Sequence, residues 1–144
     1  MDESRRVLFV CTGNLCRSPM AEVLARARFE GEGVVFESAG VRAVRGAPAT
    51  PTAAAACREV GVSLRGHRAR QLDRDLAESA ARIYVMTEDH RSAVLRIAPG
   101  IEDRVALLRP DGADIADPYG AAIEVYRAAR DEITAALGGR AGEF

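Results

Sequence analysis

Lysine is absent from the 144 residues, so all 20 positive charges are arginine; with the alanine-rich stretches, this reads as a coding bias without a binding function. Excess charge of either sign is also lacking. A formal net charge of -1 gives no overall basic field for nucleic acid or an anionic membrane, and leaves room only for a local basic mouth. No apolar run approaches the roughly 20 residues of a membrane span, and Met1 to Arg6 leads directly into a short apolar strand. A cytoplasmic protein is expected, with no nucleic-acid or membrane partner. The three cysteines are too few and too oddly numbered for a secreted disulfide framework, and no CxxC or Cys/His cluster suggests zinc. Cys57, in Ala53-Ala54-Ala55-Ala56-Cys57, reads as a small buried helix residue. There is no repeat and no low-complexity linker.

What is present is ordinary for a folded chain: 48% hydrophobic and 28% charged residues, in a length that suits one domain over residues 1–144 with one continuous core. Short apolar runs alternate with helix-like stretches, the pattern of βα units and a parallel sheet. Strands are predicted at Val7 to Val10, Val34 to Glu37, Ile83 to Met86 and Val105 to Leu108. Helices are predicted near Pro19 to Phe29, Thr50 to Val60, Asp73 to Ala80, Glu88 to Ile97 and Ala121 to Leu137. In the last of these, Ile123, Tyr126, Ile133 and Leu137 recur at helical spacing and should cover one side of the sheet. Two long loops, Ser38 to Ala49 and Arg109 to Asp117, stand out. Ligands of open α/β sheets bind beyond the carboxyl ends of the strands, so the loops after the first and fourth strands are the places to search.

The first strand runs into Cys11-Thr12-Gly13-Asn14-Leu15-Cys16-Arg17-Ser18-Pro19. Gly13 and Asn14 tolerate left-handed backbone angles, so the chain can curl and aim successive N–H groups at one oxyanion. Ser18 then Pro19 read as a helix cap and a first helical residue, with Glu22 in the first turn, which sets the positive end of a helix dipole behind the loop. That field, with Arg17 beside it, favours an ionised sulfur at Cys11. The planar fork of Arg17 can grip two phosphate oxygens and follow them as the phosphorus becomes trigonal bipyramidal. The Ser18 hydroxyl is a candidate donor to the Cys11 sulfur. Alone, C-x5-R also fits a buried strand-end cysteine; a preceding strand, a Gly-Asn bend and a following helix are the context that favours function.

At these residues the sequence resembles the low-molecular-weight protein tyrosine phosphatase family, whose signature reads C-x-G-N-x-C-R-S-P. The resemblance extends through Ser38-Ala39-Gly40 and Gly66-His67-Arg68-Ala69-Arg70-Gln71-Leu72 to Asp117-Pro118-Tyr119. It implies an α/β three-layer sandwich, a four-stranded parallel sheet with helices on both faces and the phosphate-binding loop after the first strand, and neither metal nor organic cofactor. It also implies catalysis through a cysteinyl-phosphate, with Cys11 as nucleophile, Arg17 as phosphate clamp and Asp117 as the acid that protonates the leaving group. Asp-Pro pairs more often serve turns, and Asp114 is the nearby rival, lacking the Pro-aromatic pair that follows Asp117. Thr12, Gly13, Asn14, Leu15, Cys16 and Ser18 would line the phosphate site, Tyr119 would form its aromatic wall, and Ser38 and Asn14 would lock the loop. Cys16 can, in the family, form a reversible disulfide with the nucleophile. His67 reads as a hydrogen-bonded structural histidine and His90 as a residue of a surface helix; neither is assigned as ligand or base.

The resemblance points to phosphorylated proteins as partners and to a monomer or weak homodimer, and leaves two substrates open. Leu15 fits the phosphotyrosine branch, where the protein-arginine phosphatase branch typically has threonine. Ser38-Ala39-Gly40-Val41, Met86-Thr87, and Asp117-Pro118-Tyr119-Gly120 with Ile123 and Tyr126 look like the arginine branch, and the chain has neither a tryptophan in the Ser38 to Ala49 loop nor a second aromatic after Tyr119. Phosphotyrosine leads because Leu15 would touch the substrate. An arsenate reductase would need further redox cysteines, and Arg82 to Ser92 contains none; a non-catalytic oxyanion-binding module would be expected to lose one of Cys11, Arg17 and Asp117.

Overall fold

The computed structural model describes residues 5–31 and 33–144. Its elements run β1 (Arg5–Cys11), α1 (Arg17–Phe29), β2 (Val34–Gly40), α2 (Pro51–Arg58), α3 (Arg74–Ser79), β3 (Arg82–Val85), α4 (Glu88–Ile97), β4 (Val105–Leu107) and α5 (Ile123–Gly139), with short 3-10 turns at Glu102–Arg104 and Ala141–Glu143. The four strands form one parallel sheet in the order β2-β1-β3-β4. Each predicted strand and helix is present, with ends shifted by up to three residues.

Alternation along β1 explains the layers. Val7, Phe9 and Cys11 face one core with α1, α2 and α5, while Leu8 and Val10 face a second core with α3 and α4. A strand buried on both faces reads as a continuous apolar run, which is how Val7–Val10 reads. The first core holds an aromatic cluster. Phe9 stacks on Phe36 and Tyr84, each with ring centroids 6.1 Å apart, and Phe144 meets Phe29, Phe36 and Tyr84 edge-on. The expected stripe of α5 follows: Tyr126, Ile133 and Leu137 are buried, and Ile123 packs against the same core.

Local chemistry sets the helix starts. Thr50, Asp73 and Thr87 accept hydrogen bonds from the amides of Ala53, Leu76 and His90, a cap worth about 1 kcal/mol each. α1 differs from the sequence reading: it begins at Arg17, its cap position is Cys16, no side chain caps it, and its first turn holds no acid. Ser18 lies inside the first turn because its hydroxyl is engaged elsewhere, as is the carboxylate of Glu22. His90 is also corrected. It is 5% exposed, because α4 turns His90 and Val94, one helical repeat apart, into the protein.

The chain leaves β1 for β2 on one side, and a later connection runs from β2 back past β1 to β3 on the other, so the strand order reverses between β1 and β3. That reversal opens the crevice in which sheets of this kind hold ligands, and Cys11 is the last residue of β1.

Candidate active site

From Cys11 to Arg17 the chain curls, and the cause is visible in its carbonyls. Those of Cys11, Thr12 and Gly13 accept from the amides of Val41, Arg42 and Val44 at 3.0, 2.9 and 3.2 Å. Those of Leu15 and Cys16 accept from the amides of Thr50 and Met20, each at 3.0 Å. The Asn14 carbonyl lies 2.8 Å from Nε2 of His67, and since a carbonyl only accepts, that nitrogen carries the proton. All six carbonyls therefore turn outward. The amides of residues 13–16 have no partner among the described residues and line the concave side, a nest for an anion.

Asn14 is the pivot. Its φ is 59°, the one positive value at a non-glycine among the described residues, a conformation that asparagine tolerates better than most. Its buried side chain is fully satisfied: Nδ2 donates to Ser18 Oγ at 2.9 Å and to Ser38 Oγ at 3.0 Å, and Oδ1 accepts from the Arg70 amide at 3.0 Å. Three hydrogen bonds offset a strain of about 1 kcal/mol or more. The Ser38 hydroxyl donates to Glu22 Oε1 at 2.6 Å, and the other Glu22 oxygen pairs with Arg26 at 2.6 Å. The Arg70 guanidinium donates to the Ser38 carbonyl and to Glu37, each at 3.0 Å, and Arg6 and Arg70 together hold the Glu37 carboxyl below its usual range, the Arg6 hydrogen bond contributing most.

Ser18 Oγ, already an acceptor from Asn14, sits 2.8 Å from Cys11 Sγ. The Ser18 hydroxyl also lies 3.4 Å from the Ala39 carbonyl, and through Ser18 the network Glu22–Ser38–Asn14–Ser18 reaches the sulfur. Arg17 is a buried cation, 4% exposed. One nitrogen donates to the Ile115 carbonyl at 2.8 Å, and the other lies 3.6 Å from Asp117 Oδ2. The remaining oxygen of Asp117 accepts from the Tyr119 amide at 3.1 Å, which fixes the turn that carries both. Asp114 is placed differently: its carboxylate accepts from the Glu88 amide at 2.9 Å and is absent from the cleft above Cys11. That cleft, of about 300 Å³, is lined by Cys11, Thr12, Gly13, Leu15, Cys16, Arg17, Arg42, Val44, Asp117 and Tyr119.

Of the residues expected at the phosphate site, Cys11, Thr12, Gly13, Leu15, Cys16, Arg17, Asp117 and Tyr119 line this cleft, while Asn14, Ser18 and Ser38 lie outside its lining and connect to it through the hydrogen bonds that reach Cys11. The loop after β4 reaches it as anticipated, and so does the loop after β2, which contributes Arg42 and Val44. Sequence reasoning missed Glu22, Arg70, Arg42 and Val44. His67 is the hydrogen-bonded structural histidine expected, its Nε2 on the Asn14 carbonyl, and Arg70, in the same Gly66 to Leu72 stretch, holds Asn14 through its backbone amide. Cys16 is buried, its sulfur 3.4 Å from the Tyr126 hydroxyl and 3.5 Å from that of Thr50, and burial pushes its thiol up. Cys57 is buried as expected, its thiol pushed up to about 11 by burial.

Residues 6–141 match the family described as low molecular weight phosphotyrosine protein phosphatase. The chain belongs to this family. It is 42% identical to a protein-arginine-phosphatase of Geobacillus stearothermophilus over 133 residues, covering 89% of this chain and 88% of that one. It is 40% identical to the low molecular weight protein-tyrosine-phosphatase Etp of Escherichia coli K12 over 115 residues, 78% and 76% of the two chains. The crystal structure of the Erwinia amylovora tyrosine phosphatase amsI superposes with a TM-score of 0.91 at 32% identity, over 98% of this chain and 93% of that one. The protein is thus a low-molecular-weight protein phosphatase with a four-stranded parallel sheet, and the loop from Cys11 to Arg17 is its candidate phosphate site.

Proposed function

We propose that this phosphatase hydrolyses phosphotyrosine in proteins through a phosphate ester formed on Cys11. The observation that carries this reading is the Cys11 sulfur, 2.8 Å from the Ser18 hydroxyl, at the base of a loop whose carbonyls all point away from it. The thiolate attacks phosphorus, the bond to the phenolic oxygen breaks, and Asp117 gives that oxygen its proton. Water then attacks the phosphorus, Asp117 takes the proton back, and sulfur leaves as a thiolate receiving the Ser18 hydrogen bond. Arg17 and the loop amides hold the three phosphoryl oxygens through both steps. Cys11→Ser should abolish release of inorganic phosphate from an aryl phosphate, and turnover at the normal rate would overturn the mechanism. Asp117→Asn should cut turnover far more than Asp114→Asn; the reverse would reassign the acid.

The walls support phosphotyrosine as the substrate. Leu15, Val44 and the ring of Tyr119 line the cleft, and the only carboxylate there among the described residues, Asp117, has one oxygen on the Tyr119 amide and the other facing Arg17. An aryl ring needs only apolar contact. A phosphorylated guanidine needs acceptors for its N–H groups, which Leu15 does not supply, and it would lie beside the Arg42 cation. The second reading, phosphoarginine, is supported by the 42% identity to a protein-arginine-phosphatase. Hydrolysis of phosphotyrosine and phosphoarginine peptides by the wild type and by Leu15→Thr separates the two: the wild type should prefer phosphotyrosine, and a preference for phosphoarginine would reverse the order. An arsenate-reductase chemistry finds little support, since Cys57 is buried with its thiol held protonated. A net charge of -1 gives no overall basic field for nucleic acid.

A further inference from the structure

Thr12 Oγ1 lies 2.8 Å from Nε2 of His90, a contact that ties the phosphate loop to α4 across 78 residues of sequence. His90 is buried, and its other ring nitrogen, Nδ1, is enclosed without a hydrogen-bond partner among the described residues. A neutral imidazole carries one N–H and one bare lone pair. A buried N–H without a partner costs more than an unused lone pair, so the proton belongs on Nε2 and Nδ1 is bare. Burial, reinforced by the nearby Arg17 cation, pushes this imidazole down to about 4, which keeps it neutral near pH 7.

Given that tautomer, the Thr12 oxygen accepts from His90. Its own proton must then point away from the ring. Thr12 is exposed and stands where the cleft over Cys11 meets an adjoining cavity of about 650 Å³ that holds Arg17, Arg42, His90, Asp114 and Asp117. A freely rotating threonine hydroxyl would spend its proton in any of these directions; a hydroxyl with one lone pair pinned is oriented. We propose that His90 is a positioning residue for this phosphatase, whose Nε2–H fixes the Thr12 hydroxyl as a donor to an anionic oxygen of the bound substrate. The inference rests on the cysteinyl-phosphate reading for the identity of that substrate, but uses none of its catalytic groups.

A double-mutant cycle tests it. kcat/KM for p-nitrophenyl phosphate is measured for the wild type, Thr12→Val, His90→Leu and the double variant, with thermal unfolding followed on each. Thr12→Val and His90→Leu should each lower kcat/KM by about three- to tenfold, the scale of one hydrogen bond, and the double variant should be no slower than Thr12→Val alone. His90→Gln, whose side-chain amide can reach the same oxygen, should recover most of the loss. Additive losses, a His90→Leu enzyme as fast as the wild type, or a His90→Gln enzyme as slow as His90→Leu would each overturn the proposal. Nitrogen-15 spectra of the wild-type imidazole give a reading independent of folding in the variants: a proton on Nε2 is expected, and one on Nδ1 would refute the assignment. Failure of the cycle with Cys11→Ser still inactive would sink this proposal alone, whereas an active Cys11→Ser enzyme would sink the mechanism.

Discussion

Replacing Gly40 with alanine should disable the phosphate loop without touching a reacting group. Gly40 closes β2 beside Cys11, and a Cβ there would stand 2.5 Å from the Thr12 carbonyl oxygen, 2.9 Å from the Asn14 nitrogen and 3.0 Å from the Gly13 carbonyl carbon. All three are backbone atoms, so no side chain can swing aside. Ordinary contact begins near 3.4 Å, so the loop or the strand must yield by about 0.9 Å. The strand is pinned, because the Gly40 amide donates to the Arg70 carbonyl and its own carbonyl accepts from Leu72, both at 2.9 Å. The loop therefore moves, carrying the amides that would receive the phosphoryl oxygens, and a misplacement of about 1 Å costs on the order of 100-fold in rate. Overpacking of this kind costs about 1–3 kcal/mol in stability, too little to unfold the chain. Steady-state kinetics on an aryl phosphate, with circular dichroism as a check on folding, should show that 100-fold loss in a folded protein. Gly142→Ala, which meets nothing within 4 Å, should behave as the wild type. A Gly40→Ala enzyme within threefold of the wild type would refute the claim that this close approach sets the loop.

Asn14→Ala should lower both the unfolding midpoint and kcat, since three buried hydrogen bonds of about 0.5–1.5 kcal/mol each go with it; Ser38→Ala should have the same sign and a smaller size. Acid should destabilise the fold through His90: the unfolded chain binds a proton near the usual 6.5 and the folded one only near 4, so stability falls as pH drops through that window. Linkage between those values gives a loss of about 2 kcal/mol from pH 7 to pH 5, read by urea unfolding, and His90→Leu should flatten the slope. Arg42 makes no ion pair among the described residues and lines the cleft; Arg42→Ala should raise KM for an anionic substrate with little change in kcat, and the difference should shrink with added salt.

What the sequence shows clearly is local. Cys11 through Pro19 is a contiguous string whose strand, bend and helix are adjacent in the chain, and the alternating burial of β1 needs no tertiary knowledge. The missed features are long-range. Glu22 looked like a first-turn acid because capping rules see only neighbours, yet its carboxylate is used by Ser38, 16 residues away, and Ser18 gave up the cap because Cys11 and Asn14 claim its hydroxyl. Arg70 reaches Asn14 across 56 residues. His90 sits among Glu88, Asp89, Arg91 and Ser92, so its surroundings read as surface; the signal available was its spacing of four from Val94, the only other buried residue of α4.

The substrate question divides along the same line. The base of the site is built from groups whose positions are over-determined: six outward carbonyls, a fully bonded Asn14 and a glycine with backbone against it. Its tolerance for change is small, and in the proposed function its part is to hold a tetrahedral anion. The rim is made of Leu15, Arg42, Val44 and Tyr119, drawn from the loops after β1, β2 and β4, and Val44 and Tyr119 are 53% and 64% exposed. Arg42, Val44 and Tyr119 are exposed, so they can vary with little cost to the base, whereas Leu15 is half-buried against the core. The chain is 42% and 40% identical to two relatives named for different phosphorylated residues, so overall identity does not choose between the two substrates. In the reading proposed above, the choice between an aryl ring and a guanidine falls to the rim side chains Leu15, Arg42, Val44 and Tyr119.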